Sequence, residues 1–436
     1  MTHHQQVELL AIGAGPANLA LAVALEELAP ADYAEHTLIV EQYEDVVWQR
    51  GMLLPWAQSQ VSFLKDLVTL RNPCSKFSFL NYLHSQGRLD EFINLGTFTP
   101  YRLEISNYLQ WVTRSLTKVK LRYGRKVVDI EPSTATDGVV RGWLVRFADD
   151  STIACRDLVF GTGRDANVPD VFASVSKERL IHSTEYAYRV AELDEDAPHR
   201  IVVLGSAQSA AEMLWESHQR LPNAHLTMVM RAIGLNGYET SKFTNELFYP
   251  SFVDEFYKAL PDAREQLLRE MHRTNYSGLA PAMLENLYRQ MYLDKLLGTE
   301  RLSMVTMAEI VEARSDGDEV VLTLLDRKSG SRNELRCDIV MLGTGFVKEM
   351  PKMAQKLAAS TGAGTVTVDR RYRLHLPDDV EARVYLQGVN EATHGIADSL
   401  ISVLAIRSSE IVADLITARQ ARDVAQPVPQ AVPQPL

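Results

Sequence analysis

Cysteine is scarce in this chain: Cys74, Cys155 and Cys337 are the only three in 436 residues. No two are close enough for a C-x-x-C or C-x4-C pair, which excludes a zinc ribbon and a dithiol redox relay. So few thiols suit a reducing compartment, and a cytoplasmic location is the expectation. No uninterrupted apolar run approaches the roughly 18 residues a membrane-spanning helix needs. The opening stretch from Met1 to Gly15 lacks the charged n-region and cleavage site of a secretory signal. Positive charge is also in deficit, with 45 Lys and Arg against 56 Asp and Glu, a net charge of −11. Phosphate backbones demand a basic surface, so nucleic acid is not an expected partner. What remains is ordinary globular composition, 46% hydrophobic and 23% charged, at a length that predicts two or three folding units.

The first unit of pattern is β-α-β. Val7–Ile12 reads as a buried parallel strand and stops at Gly13-Ala14-Gly15-Pro16-Ala17-Asn18. An alanine- and leucine-rich helix follows through Leu28, and a second strand, Thr37–Val40, ends on Glu41 and Gln42. Small residues at such a turn let a pyrophosphate approach the helix N-terminus, and the strand-end acid holds ribose hydroxyls. Asn18 stands where the third glycine of the fingerprint is usual. A second copy runs from Ile201 to Leu204 and continues Gly205-Ser206-Ala207-Gln208-Ser209. Its next strand, Leu226–Met230, ends on Arg231, the expected sign of a 2′-phosphate and hence of NADPH over NADH. Ala207, in place of a glycine, is expected to crowd the pyrophosphate.

The duplication extends further. Each copy leads, through a hairpin-like stretch, to a strand ending in a glycine turn, Leu158-Val159-Phe160-Gly161-Thr162-Gly163 and Val340-Met341-Leu342-Gly343-Thr344-Gly345. The pattern predicts an α/β protein with two dinucleotide-binding, Rossmann-like domains, each carrying a small β-meander, one for FAD and one for NADPH. The expected division gives FAD residues 1–168 and 343–422, and NADPH residues 169–235 and 298–342. A helical insertion at 236–297 would serve substrate, and a Pro/Gln-rich tail at 423–436 is expected to be disordered.

Several blocks outside the duplication are distinctive: Trp48-Gln49-Arg50-Gly51, Gln60-Val61-Ser62-Phe63-Leu64-Lys65-Asp66-Leu67, Phe243-Thr244-Asn245-Glu246-Leu247-Phe248, Thr274-Asn275-Tyr276-Ser277 and Gln387-Gly388-Val389-Asn390-Glu391 through Gly395. Together they resemble the microbial N-hydroxylating flavin monooxygenases, the L-ornithine and L-lysine N-monooxygenases of siderophore-type pathways. The resemblance runs from about Val7 to Arg419 and is closer to the ornithine enzymes. It implies that FAD and NADPH, with O2 as co-substrate, hydroxylate a diamino acid's side-chain amine through a flavin C4a-hydroperoxide. It implies no metal and no catalytic side chain beyond flavin-side support from Gln60 and Ser402.

Residue by residue, the resemblance places Lys65 on the substrate carboxylate and Asn245 on its α-amino end. Asn275 falls between substrate and NADP, and Ser402 at the reacting amine. Gln60, Trp48 and Leu400 fall beside the flavin. Gly13, Gly15, Pro16, Asn18, Glu41 and Gln42 are the other expected FAD contacts. Gly205, Ser206, Gln208, Ser209 and Arg231 are the expected NADP contacts. The family's habit implies a homo-oligomer, dimer or tetramer. Phe346 departs from the tyrosine common in the family. Two rivals on the same frame fit less well. A disulfide reductase lacks its cysteine pair. A Baeyer–Villiger type would need F-x-G-x-x-x-H, but counting back from His182 finds Ser176 and Glu178. A flavin-bound scaffold without catalysis and an L-lysine hydroxylase stay open as alternatives.

Overall fold

The structure, a computed structural model, describes residues 5–425 apart from Thr240 and Ser277; the side chains at 5, 273–275 and 425 also lie outside the described residues. Strands β1 (Gln5–Ile12), β2 (Thr37–Val40), β3 (Lys120–Arg122), β4 (Val127–Thr134), β5 (Val140–Phe147) and β6 (Thr152–Phe160) form one sheet in the order β3-β2-β1-β6-β5-β4. Strands β7 (Leu180–His182), β8 (Arg200–Leu204), β9 (His225–Val229) and β10 (Leu302–Val305) belong to a second sheet, followed by a separate antiparallel meander of β11 (Ala308–Asp316), β12 (Glu319–Asp326) and β13 (Arg332–Cys337). β14 (Ile339–Leu342) enters the second sheet, ordered β10-β9-β8-β14-β7, and β15 (Val384–Leu386) returns to pair with β6 in the first.

β1 lies between β2 and β6, parallel to both. Both of its faces are covered, so it reads as a nearly continuous apolar run. The helix Pro16–Leu28 is apolar all round for the same reason: every residue from Leu19 to Leu25 is fully buried between the sheet and the helices Arg102–Ser115 and Leu404–Ala425. The last of these helices continues to Ala425, three residues past the point where the tail was expected to begin. Residues 426–436 of that tail lie outside the described residues.

The two meanders, expected to be alike, differ. β6 is one unbroken strand whose first half pairs antiparallel with β5 and whose second half pairs parallel with β15. Its meander is therefore fused to the sheet. In the second copy Asp338 interrupts the equivalent stretch, separating β13 from β14. The carboxylate of Asp338 accepts from the Arg200 backbone N–H at 2.7 Å and from its guanidinium at 2.6 Å. The side chain thus takes over the start of β8, and the meander leaves the sheet.

Residues 242–297 form four helices, three of which begin with a proline in the first turn: Pro250–Lys258, Pro261–Asn275 and Pro281–Leu297. Proline is suited there because that N–H has no helical partner. Gly298, at φ +68°, ends the last of them in the left-handed region. Phe248, Val253 and Met271 of this segment pack on Ile396, Ala397 and Val403. The insertion therefore rests on the chain that follows β15. Among the described residues no helix is long and apolar enough to cross a membrane.

Candidate functional site

At the first glycine turn the backbone itself requires the small residues. Gly13 has φ +90°, and a Cβ there would meet the Gly161 carbonyl at 2.8 Å. Gly15 caps the helix that starts at Pro16, with no side chain bonded to the helix end. The first-turn N–H groups are therefore open to an anion. Glu41 reaches back from the end of β2: one carboxylate oxygen accepts from Ala14 N–H at 2.8 Å and the other from Tyr43 N–H at 3.1 Å. Gln42 beside it is exposed.

Asn18, an expected FAD contact, bonds within the protein. It is fully buried. Its Nδ2 donates to the carbonyls of Ile12 at 3.0 Å and Gly13 at 2.7 Å, and its Oδ1 accepts from Gln387 Nε2 at 2.8 Å. A Cβ on Gly161 would lie 2.5 Å from its amide nitrogen. The missing third glycine has thus been replaced by a polar clamp, and Gly161 supplies the room.

Next to that turn is a cleft lined by Pro16, Ser59, Phe63, Lys65, Leu67 and Ile401. Lys65 ends a short 3-10 turn, Phe63–Lys65, whose Leu64 N–H donates to the Ser62 hydroxyl. The lysine is half-buried, and burial pulls its ammonium below the usual lysine range. Asp66 does not neutralise it: buried itself, it accepts from the N–H groups of Val68, Thr69 and Phe79 and from the Thr69 hydroxyl. Among the described residues Lys65 has no carboxylate partner; its Nζ lies over the Tyr249 ring, 4.4 Å from the centroid.

The other expected residues around the cleft are placed unevenly. Ser402 is buried and its Oγ has no hydrogen-bond partner in the described protein. An unpaired buried hydroxyl is rare, and a ligand would satisfy it. Leu400 is half-buried. Trp48 packs on the core beneath the first helix while its backbone N–H donates to Ser106 Oγ at 3.2 Å. Gln60 is exposed. Asn245, also exposed, lies on the short helix Lys242–Glu246, one turn before Tyr249. Asn275 closes the helix Pro261–Asn275, and its side chain lies outside the described residues.

The second glycine turn repeats a positive-φ glycine, at a different angle and with different chemistry. Gly205 has φ +136°, and a Cβ would strike the Gly343 carbonyl at 2.6 Å. Ala207 caps the helix Gln208–Arg220 at φ −103°, a conformation any residue adopts, again without a side-chain bond. The crowding expected from this alanine therefore involves no backbone strain. Ser206 and Ser209 are partly exposed, and Arg231 is exposed just past β9 with no ion pair among the described residues. Gln208, an expected NADP contact, also bonds within the protein: its Nε2 donates to Glu212 at 2.8 Å and its Oε1 accepts from the Ala280 N–H at 2.9 Å. Phe346 is half-exposed, edge-on to His182.

Sequence reasoning missed what binds these parts together. Arg102, at the start of Arg102–Ser115, forms a two-pronged pair with Glu212, both bonds at 2.6 Å, and both residues are buried. An acid inside the apolar run Ala210-Ala211-Glu212-Met213-Leu214 was the available signal, because a buried charge requires a partner. Tyr249 carried no comparable signal.

Comparison with known proteins supplies the context. A family model described as L-lysine 6-monooxygenase/L-ornithine 5-monooxygenase matches residues 5–348. A curated L-ornithine N(5)-monooxygenase of Pseudomonas aeruginosa is 36% identical over 410 residues, covering 93% of this chain and 92% of that protein. The solved ornithine N-hydroxylase of Kutzneria sp. 744, described with reduced FAD, NADP+ and L-ornithine, is 33% identical with a TM-score of 0.88, covering 95% of this chain and all of that one. An L-lysine 6-monooxygenase structure from Pseudomonas syringae is 31% identical with a TM-score of 0.83, covering 94% of this chain and 99% of its own. The chain belongs to the L-lysine 6-monooxygenase/L-ornithine 5-monooxygenase family.

Proposed function

We propose that this protein binds FAD and NADPH and uses O2 to hydroxylate the side-chain amine of L-ornithine, giving N5-hydroxy-L-ornithine for a hydroxamate siderophore or related product. The observation that carries this reading is Lys65: a half-buried cation with no carboxylate partner among the described residues, beside the first glycine turn. A half-desolvated ammonium is best satisfied by an anion, and an amino acid's α-carboxylate supplies one. The residues present fit both cofactors, since two uncapped helix ends follow crowded glycine turns and Arg231 has no ion pair among the described residues. Bound flavin and nicotinamide supply the redox chemistry that activates oxygen.

The chain's own residues orient and exclude water. In this reading Glu41 holds ribose, Arg231 holds the 2′-phosphate, Asn245 and Asn275 hold the amino-acid end, and Trp48, Gln60, Leu400 and Ser402 surround the flavin. Phe63, Leu67 and Ile401 would keep the reacting region apolar and exclude water from it. The amine must be neutral to react, and ornithine's is mostly protonated at pH 7. Activity is therefore expected to rise towards pH 8–9. The proposed division follows the sheets: β1–β6 and β15 for FAD, β7–β10 and β14 for NADPH, the helices between 242 and 297 for substrate.

Turnover of ornithine, lysine, putrescine and cadaverine, scored as hydroxylated product, tests the assignment. Ornithine should lead, and a diamine that outperforms both amino acids overturns the role of Lys65. Lysine is the second reading, supported by the Pseudomonas syringae relative; one methylene is worth roughly 1–3 kcal/mol of discrimination. We propose a homo-oligomer as well. Tyr288, Tyr292 and Leu296 make an exposed apolar stripe at four-residue spacing on Pro281–Leu297, and light scattering checks the mass. Three free thiols, two of them buried, support a reducing cytoplasm.

A further inference from the structure

We infer that Tyr249 is a specificity-determining partner of Lys65, holding its ammonium in the position where the substrate carboxylate is received. The inference rests on the proposed carboxylate role of Lys65.

The Lys65 side chain can rotate about four bonds, and an untethered lysine loses much of that freedom on pairing. Here it is already placed. The Nζ lies 4.4 Å from the centre of the Tyr249 ring, within the distance at which a ring face attracts a cation. A ring face accepts no directional hydrogen bond from all three N–H groups, so donors remain for an incoming carboxylate. The ring is itself held on both sides. Phe248 before it is buried in the small core shared with Ile396 and Val403. Pro250 after it opens the next helix, with Tyr249 at the cap in an extended conformation. The contact joins the helical insertion to the Phe63–Lys65 turn, which are about 180 residues apart in sequence. Asn245 lies one turn earlier on the same segment, so the insertion would both carry the α-amino anchor and position the carboxylate anchor.

Attraction of this kind at a partly desolvated site corresponds to about a threefold to thirtyfold change in affinity. The test is steady-state kinetics of the full-length holoenzyme in four forms: wild type, Tyr249→Leu, Lys65→Met and the double variant, with Tyr249→Phe as the conservative control. Tyr249→Leu should raise KM for ornithine about threefold to thirtyfold, with kcat and KM for NADPH within twofold of wild type. Tyr249→Phe should behave as wild type, because the ring face and not the hydroxyl is used. On the Lys65→Met background Tyr249→Leu should add nothing further. A KM in Tyr249→Leu equal to wild type overturns the inference, and so does an equal additional rise on the Lys65→Met background, which would mean the ring is only a wall. A Lys65→Met enzyme with an unchanged KM for ornithine would instead overturn the carboxylate reading beneath it.

Discussion

The two glycine turns share a positive-φ glycine set against a later glycine carbonyl and differ in their surroundings. The first is closed on the protein: Asn18 binds it to Gln387 near the other end of the chain, and Glu41 folds back onto Ala14. The second is open. Ser206, Ser209 and Arg231 face solvent, and the one long polar residue at the turn, Gln208, holds the insertion instead. A turn locked by buried polar bonds suits a cofactor that stays bound throughout turnover. An open turn with a free arginine suits one that enters and leaves with each cycle. The difference lies chiefly in the side chains behind the turns, since each turn keeps a positive-φ glycine packed against a later glycine carbonyl.

The largest expected effect lies on the closed turn. Asn18→Leu leaves three buried hydrogen bonds without one partner, and each such loss costs about 1–3 kcal/mol. The variant should purify with little flavin and a much lower thermal midpoint; full flavin content and an unchanged midpoint would show that the clamp is dispensable. Acid tests the same half. Burial first, among its causes, depresses His394 to about 4, below the ordinary histidine value near 6.5. The unfolded chain therefore takes up this proton first, so the stability is complete above pH 6.5 and is lost as pH falls towards 4. The loss approaches ~3 kcal/mol over that interval. Urea midpoints measured from pH 7 to 5 should fall, and should fall less steeply in His394→Gln.

The open turn predicts changes in binding without loss of stability. Arg231→Ala should raise KM for NADPH about tenfold to hundredfold and shrink the preference over NADH, because one charge-assisted bond is worth roughly 1.5–3 kcal/mol. Flavin content should not move; if it does, the two sites are not independent. Ala207→Gly should do least. With φ at −103° the alanine is unstrained, so glycine should shift KM for NADPH less than threefold and lower stability by at most about 1 kcal/mol. A large gain in NADPH affinity would mean that the methyl does crowd the pyrophosphate.

Much of this organisation was legible locally. Strand, turn, helix and strand from Val7 to Glu41 depend on neighbours within a few residues, and β1, the Pro16–Leu28 helix and β2 lie where apolar pattern and glycine place them. The second copy was legible for the same reason. The three-residue strands β3 and β15 were not, because so short a strand has no period to read; pairing with β2 and β6 defines them. Nor could pattern show that Asp338 would detach one meander while Arg156, at the matching position, leaves the other in the sheet. Of the candidate site, residue types were legible but partners were not. Asn18 and Gln208 bond to Gln387 and Ala280 across long stretches of chain, and nothing near them in sequence announces it.

The buried pair of Arg102 and Glu212 bears on how such a protein can be recombined. The two halves look like interchangeable modules, each with its own sheet and turn. A chimera that grafts a foreign second half onto this first half would keep Arg102 while losing the acid that answers it. Removing one member of a buried ion pair destabilises by about 3–5 kcal/mol, a large part of a domain's net stability. Crossovers should succeed only when the Arg102 and Glu212 positions come from the same parent.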